Sequence, residues 1–465
     1  MRVDDKESGG DLRGDTMSDA PSSAPGFRTG SGPFTRALVL ENPDPCLDEH
    51  LAALGITATR IPDAPSEDEL VRLLREGRYH LIYKRSRVPI TERVVKASPD
   101  LAAVMLCCIG DDSVDKEACA SQGVLVTNDP VSNGRSVAEM VIGELVMLSR
   151  RLYDSVSQMA SSVWRKDNQA RYELYGKRLG IVGLGNIGRQ VAQLGQAMGM
   201  EILFHDSAEV PREVGLAMGW ERCDTMQALF KASDFVTIHV SAEDHRGRSN
   251  QNLVTYDLLK QLGDKEGESP RIFLNLARGF VVPPEDLRRA VTEGHVSYAI
   301  TDVFPSEPGA MGSASWTNPY EGEPRIFATP HIGAATREAQ PRIARYVART
   351  TQLLSQYGMI RNCIYRPRAE IDFAVDYATA MLAVVHVDKR GTKKAVDDAI
   401  FAAGANNLRS AHIDFPNVGI AYDVSALDQA LSPEATAELA REAIRLTGDP
   451  TAIRWMRTIP LDPTD

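Results

Sequence analysis

A chain of 465 residues with 43% apolar and 25% charged side chains is globular in balance and too long for one ordinary domain, so two or three are expected. Its 52 basic residues against 63 acidic leave a net charge of −11 spread along the chain, which excludes a nucleic-acid surface as its organising feature and predicts an acidic, soluble, cytoplasmic protein. No apolar run approaches the roughly 18 residues that cross a bilayer, and six cysteines (Cys46, Cys107, Cys108, Cys119, Cys223, Cys363) with no CxxC pair fit buried thiols in a reducing compartment, with no metal site expected.

Residues 1–33 are rich in Gly, Ser, Asp and Pro without periodicity, which predicts a disordered segment lacking a secretory core; Met17 within it is a second candidate start. Strand-like runs at Thr35–Leu40, Ile56–Arg60, Tyr79–Tyr83, Leu101–Gly110 and Val124–Asn128 then alternate with helical stretches such as Leu47–Leu54 and Glu67–Glu76. That alternation predicts a parallel sheet covered on both faces. A long helix from Val137 to Leu152 leads into a second unit, with strands at Leu179–Val182, Ile202–Phe204, Phe235–Val240, Ile272–Leu276 and Tyr298–Val303, and a polar loop at Gln261–Arg271. The helical stretch Thr336–Tyr357 returns to the first unit, which is therefore discontinuous: 34–133 plus 331–365 around 134–330.

Arg361–Ile371, with its arginines and proline, reads as a linker. The segment 375–465 changes character: strand Ala378–Val387, helix Lys393–Ala403, hairpin Leu408–Phe415 and Val418–Val424, a helix from Ser432-Pro433 to Gly448, and strand Ala452–Ile459. The order βαββαβ predicts a small α+β, ferredoxin-like domain after two α/β, Rossmann-like doubly wound domains.

The sharpest local signal is the stretch 176–206. A short apolar strand enters a turn with glycines at 183, 185 and 188, a helix follows, and the next apolar run closes at Asp206. Gly183 permits the tight turn, Gly185 lets backbone approach a pyrophosphate, and Gly188 lets helix and strand pack closely. The helix N-terminus adds free N–H groups and a positive dipole for phosphate. An acid about twenty residues on accepts hydrogen bonds from ribose hydroxyls and repels a 2′-phosphate, so NAD rather than NADP is the expected cofactor.

The runs Ser132–Glu144, Gly183–Gly188, Asn275–Gly279, Asp302–Pro308 and Thr329–Thr336, in this order, resemble the D-isomer-specific 2-hydroxyacid dehydrogenase family over about residues 35–345. The resemblance implies His331 as general acid and base, Glu307 as its acidic partner, and Arg278 as the clamp for the substrate carboxylate and carbonyl. Glu307 separates the chain from formate dehydrogenases, which pair the histidine with glutamine. It also implies Asn186 and Ile187 under the pyrophosphate, Leu276 and Ala277 along the nicotinamide, Asp302 on its carboxamide, and Ile332, Gly333 and Ala334 beside the cofactor. Arg85-Ser86-Arg87, with Asn133 nearby, is similar to the run that members acting on phosphoglycerate carry. Two guanidiniums and a hydroxyl suit a dianion, whereas Lys84 reads as a solvated charge.

The implied activity is NAD-dependent oxidation of D-3-phosphoglycerate to 3-phosphohydroxypyruvate at the start of serine biosynthesis. The alternatives are a dehydrogenase for another 2-hydroxy acid, of the glyoxylate or hydroxypyruvate type, and a non-catalytic NAD-sensing scaffold. Trp164 matches an indole that in similar enzymes enters the neighbouring subunit, which implies a homodimer or homotetramer, with a buried core position as the other reading. The C-terminal segment resembles an ACT domain, a module that binds amino-acid effectors. His386 and Asn406 match the serine-binding pattern, but Asp388 and Arg390 replace an amide and a proline, and the usual glycine hinge is Asp376-Tyr-Ala-Thr. Weak or absent control by serine is therefore expected, with assembly as the main role.

Overall fold

Three sheets hold every named strand of the computed structural model, which describes residues 27–263, 269–308 and 316–461. The first is five-stranded and parallel in the order β3-β2-β4-β5-β6: β2 (Arg36–Leu40), β3 (Thr57–Ile61), β4 (Leu81–Lys84), β5 (Ala103–Leu106) and β6 (Leu125–Asn128). Strands β4, β5 and β6 are buried along their whole length because helices cover both faces, so the two-residue alternation of an exposed sheet is absent. The helix Ala339–Tyr357 packs into the same core through Ile343, Val347 and Leu354.

The second sheet is seven-stranded and parallel: β7 (Arg178–Val182), β8 (Glu201–His205), β9 (Glu221–Arg222), β10 (Phe235–Ile238), β11 (Ile272–Asn275), β12 (Tyr298–Thr301) and β13 (Ile326–Ala328). The order β13-β12-β11-β10-β7-β8-β9 reverses direction between β7 and β10, and the crevice beyond strand ends at such a reversal is where open α/β sheets bind ligands. The crossing helix begins at Gly134 and ends at Ser149, three residues earlier at each end than its periodicity predicts. The chain turns at Arg151, in a left-handed conformation (φ 52°), into a second helix, Leu152–Ala160.

The third sheet contains β14 (Ala380–Val387), β15 (Asn407–Phe415), β16 (Ile420–Leu427) and β17 (Ile453–Pro460) in a βαββαβ connection, ordered β17-β14-β16-β15. Ser432 caps the helix Pro433–Thr447, its Oγ accepting from the Ala435 N–H at 3.2 Å. One face of the sheet takes this helix and Thr392–Ala402, through Leu382, Val384, Leu427 and Met456. The other face, with Ala383, Val385, Tyr422 and Val424, shares a core with the first unit. Tyr422 Oη and Arg457 Nη2 donate to the carbonyls of Gly358 and Leu354 at the end of the long helix. A Cβ on Gly358 would come within 2.8 Å of the Ala383 side chain, so the two units meet without a spacer.

Two expectations are corrected here. The disorder expected over residues 1–33 does not hold at its end: Arg28–Ser31 form β1, a fifth strand parallel to β17, with Arg28 opposite Trp455. Residues 1–26 lie outside the described residues. An edge strand of four residues, Arg-Thr-Gly-Ser, carries no apolar alternation, and its partner is more than four hundred residues away in sequence. The linker around 361–371 is packed rather than loose, with Cys363, Ile364 and Tyr365 buried and Tyr365 Oη donating to the Val124 carbonyl at 2.5 Å. The polar loop Gln261–Arg271 falls partly outside the described residues, which omit 264–268.

Candidate active site

The glycine turn leaves the C-terminal end of β7, the strand at the reversal point. Gly183 has φ 90°, and a Cβ there would come within 2.6 Å of the His239 carbonyl oxygen. A Cβ on Gly188 would lie 2.1 Å from the Gly183 carbonyl, so the first turn of the helix Asn186–Ala197 rests directly on the loop. Gly185 has open space around it, and no side chain caps that helix. The free amides and unfilled volume at a helix N-terminus are what a pyrophosphate needs.

Asp206, just past β8, accepts from the Leu184 N–H at 2.7 Å and the Ala208 N–H at 2.8 Å. It braces the turn and keeps acceptor capacity on both oxygens for ribose hydroxyls. Asn186 donates to the Pro130 carbonyl at 2.9 Å, tying the turn to the loop between β6 and the crossing helix, and Ile187 packs into the core beneath. Leu276 and Ala277, at the end of β11, are buried at the sheet edge.

His331 follows β13 and has φ 54°, a left-handed conformation unfavourable for a side chain with a Cβ. The loop is held there by Asp302, whose oxygens accept from Thr329 Oγ1 at 2.6 Å, Ile332 N–H at 2.9 Å and Gly333 N–H at 2.8 Å. Ala334 extends the anchor by accepting from Gln340 Nε2 at 3.3 Å. In this structure the Asp302 carboxylate is thus occupied with shaping the histidine loop, a task the nicotinamide role assigned to it does not include. Ile332 is exposed beside it.

His331 Nδ1 donates to Glu307 Oε2 at 2.7 Å, while Glu307 Oε1 accepts from the Phe304 N–H at 3.1 Å. An ionised carboxylate only accepts, so the proton sits on Nδ1 and Nε2 is left for a substrate. The hydrogen bond to Glu307 holds the His331 imidazolium above the usual histidine range, outweighing burial. Burial pushes the Glu307 carboxyl up, but the hydrogen bond and charge of His331, the Phe304 N–H and Arg278 together carry it below the usual range. A histidine and carboxylate paired with the proton so placed can serve as an acid–base dyad.

Arg278 leaves β11 toward the same space, and its charge bears on both His331 and Glu307. Its Nε donates to Asp112 Oδ2 at 2.8 Å and its Nη1 to the Ala277 carbonyl at 2.9 Å. Asp112 follows β5 of the first unit, so this ion pair spans the cleft between the two parallel sheets and aims the guanidinium. Sequence reasoning did not find it, because nothing local marks which acid in the run Gly110-Asp-Asp meets an arginine so far along the chain.

The Arg85-Ser86-Arg87 loop leaves β4 with Ser86 exposed and both arginines half-buried. A buried carboxylate, Glu41, shapes it, accepting from the N–H groups of Arg85 and Arg87 at 2.7 Å each, with Arg87 Nε at 3.4 Å. Lys84 is not the solvated charge expected: it is 0% exposed, and its Nζ donates to Ser113 Oγ and the Arg85 carbonyl at 2.7 Å each. Burial lowers its ammonium below the usual lysine value, and both bonds fix the backbone behind the loop. Glu41 and Lys84 are positioning residues that sequence reasoning missed. A carboxylate or ammonium after an apolar strand reads as surface until its partners are seen. Asn133 heads the helix Gly134–Ser149 and is nearly buried, with an amide oxygen that has no hydrogen-bond partner. Trp164 is 81% exposed, in a stretch that also exposes Val156, Met159 and Tyr175, which excludes the core reading.

Residues 142–333 match the family described as D-isomer specific 2-hydroxyacid dehydrogenase, NAD binding domain. The chain is 30% identical over 408 residues to a D-3-phosphoglycerate dehydrogenase of Dictyostelium discoideum, covering 87% of this chain and 94% of that one. It is 32% identical over 389 residues to the D-3-phosphoglycerate dehydrogenase of Escherichia coli K12, covering 82% and 90%. Among solved structures, a D-lactate dehydrogenase from Aquifex aeolicus complexed with NAD and lactic acid shares the fold at a TM-score of 0.58 and 24% identity, over 68% of this chain and 95% of that one. Among the described residues no helix is long and apolar enough to cross a membrane. With the glycine turn, its closing acid and an extended match to these relatives, the chain belongs to the D-isomer specific 2-hydroxyacid dehydrogenases and is an NAD-dependent oxidoreductase of that family.

Proposed function

We propose that this enzyme oxidises D-3-phosphoglycerate to 3-phosphohydroxypyruvate in the cytoplasm, with His331, Glu307 and Arg278 at the reacting carbon and Arg85, Ser86, Arg87 and Asn133 at the phosphate. NAD supplies the hydride acceptor. Arg278 pairs with the C1 carboxylate and polarises the C2 oxygen, while His331 Nε2 takes the C2 hydroxyl proton and Glu307 stabilises the imidazolium that results. In reduction the same imidazolium returns the proton. The observation that carries the phosphate assignment is the Arg85–Arg87 loop, held by buried Glu41 and Lys84 at the end of β4. A loop whose backbone is pinned from behind by two buried charges presents its two arginines from a fixed base, which suits a dianion better than a loosely held surface pair does. The relatives' names point to the same substrate.

Arg85→Ala tests this reading. Loss of a charge-assisted hydrogen bond of about 1.5–3 kcal/mol should lower kcat/KM for phosphorylated substrates by about 10- to 100-fold. Unphosphorylated 2-keto acids should change less than about threefold, being unable to use that bond. Equal losses on both would move the phosphate elsewhere and favour another 2-hydroxy acid as substrate.

We read the chain as two α/β units, 34–133 with 331–365 and 134–330, and the C-terminal βαββαβ unit, 375–465, as ACT-like and mainly an assembly module in a homodimer or homotetramer. The exposed apolar stretch around Trp164 supports an oligomer. His386, at the serine-pattern position, is buried and bonded within the chain, and the C-terminal sheet shares a core with the first unit. Both features oppose binding of an amino acid there and transmission of its signal. Titration with L-serine should therefore leave the initial rate almost unchanged, and half-inhibition at micromolar serine would refute the reading.

A further inference from the structure

The C-terminal sheet buries a polar cluster that the dehydrogenase reaction does not use. Asp423 lies on β16, the strand between β14 and β15. His412 is its direct register partner on β15, and His386 is two residues from its partner Val384 on β14, hence on the same face. His386 Nε2 lies 2.7 Å from Asp423 Oδ2, and His412 Nδ1 lies 3.1 Å from Asp423 Oδ1. Asp423 and His386 are each 1% exposed, yet Asp423 Oδ1 has no partner in hydrogen-bond geometry.

The outer nitrogens decide what the inner ones offer. His386 Nδ1 is 2.7 Å from the Val387 carbonyl, which only accepts, so that nitrogen carries a proton. His412 Nε2 is 2.7 Å from Asp414 Oδ1, which assigns a proton there by the same argument. In the neutral imidazoles, Nε2 of His386 and Nδ1 of His412 then present lone pairs to a carboxylate. Three acceptors converging in a buried space repel one another unless a cation joins them. Protons on both inner nitrogens would do so, and so would one metal ion.

We propose that His386 Nε2, His412 Nδ1 and the Asp423 carboxylate form a site for a divalent transition metal of the zinc or cobalt type. Outer nitrogens anchored on a carbonyl and a carboxylate are the arrangement that orients metal-ligating imidazoles. Two imidazoles and one carboxylate are a borderline donor set suited to these ions, leaving a fourth position for water. The candidate ligand atoms already lie within 4.8 Å of one another. Bonds of about 2.0–2.2 Å at tetrahedral angles separate ligand atoms by about 3.3–3.5 Å, so the present 2.7 and 3.1 Å contacts widen by roughly half an ångström. Half-exposed His412 gives the ion its way in. Lys393 Nζ, 3.6 Å from Asp423 Oδ1, is an opposing charge at the cluster; it also pairs with Asp397 on its own helix and can stay there.

The test is a titration of the full chain, freed of metal by a chelator, with Zn²⁺ by calorimetry and with Co²⁺ by visible absorption. One ion per chain with ligand-field bands of a four-coordinate nitrogen and oxygen site is the expected result. Asp414→Asn should weaken binding about 10- to 100-fold through the outer partner alone, and His412→Gln and Asp423→Asn should weaken it further. His412 is on a partly exposed strand, so His412→Gln checks the site with an unchanged far-ultraviolet spectrum and unchanged dehydrogenase rate. Binding to His412→Gln as tight as to wild type, thiolate-to-cobalt charge-transfer bands, or no Zn²⁺ binding below millimolar concentration would each overturn the proposal.

Discussion

His331→Ala should lower kcat by about 10²- to 10⁴-fold, the usual worth of a positioned acid–base group, while the dissociation constant for NAD changes by less than about threefold. The two readouts separate because the dinucleotide site proposed at the glycine turn and Asp206 lies at the ends of β7 and β8, whereas His331 stands after β13. A variant that keeps more than about half the wild-type rate would remove His331 from the mechanism. The pH dependence supplies an independent check. Oxidation needs neutral Nε2, and the hydrogen bond to Glu307 raises the imidazolium above the usual histidine range, with its charge adding to this. kcat/KM for oxidation should therefore fall as pH drops through that raised value, and reduction should show the opposite limb. Glu307→Gln keeps the hydrogen bond but removes the charge, so both limbs should move to lower pH. Limbs that stay in place would mean that another group titrates.

How much of this was legible beforehand depends on how local each feature is. The strand, glycine turn, helix and closing acid at 178–206 occupy one continuous stretch, so spacing alone sufficed to place them. The βαββαβ order of the C-terminal segment was readable for the same reason, since its elements pair in a simple chain with good caps such as Ser432 and Gly448. The dyad was not readable from spacing, because Glu307 and His331 leave the ends of different strands; it came from resemblance, and the structure places the two side chains in contact. The features that escaped are long-range or depend on burial. Lys84 and Glu41 look like surface charges until the loop closes over them, and β1 finds its partner only when the whole chain is folded. Asp112 belongs to the same class: its arginine is on another sheet.

Arg278→Ala should lower kcat by about 10²- to 10³-fold, comparable to the loss of an oxyanion donor, and should raise KM for the hydroxy acid at the same time. The double effect follows from the two purposes proposed for one guanidinium. A contact with the carboxylate made in the ground state would be lost from binding, while a contact with the C2 oxygen that strengthens as hydride leaves would be lost from the chemical step. Arg278→Lys distinguishes charge from shape. A lysine keeps the positive charge but has no planar fork and cannot hold Asp112 and the Ala277 carbonyl as Arg278 does while also offering a paired donor edge to a carboxylate. It should recover part of the KM loss and little of the kcat loss. A lysine variant with near wild-type kcat would show that Arg278 acts only as a diffuse charge at the cleft. A change in KM alone, for either variant, would leave the polarising role to another donor.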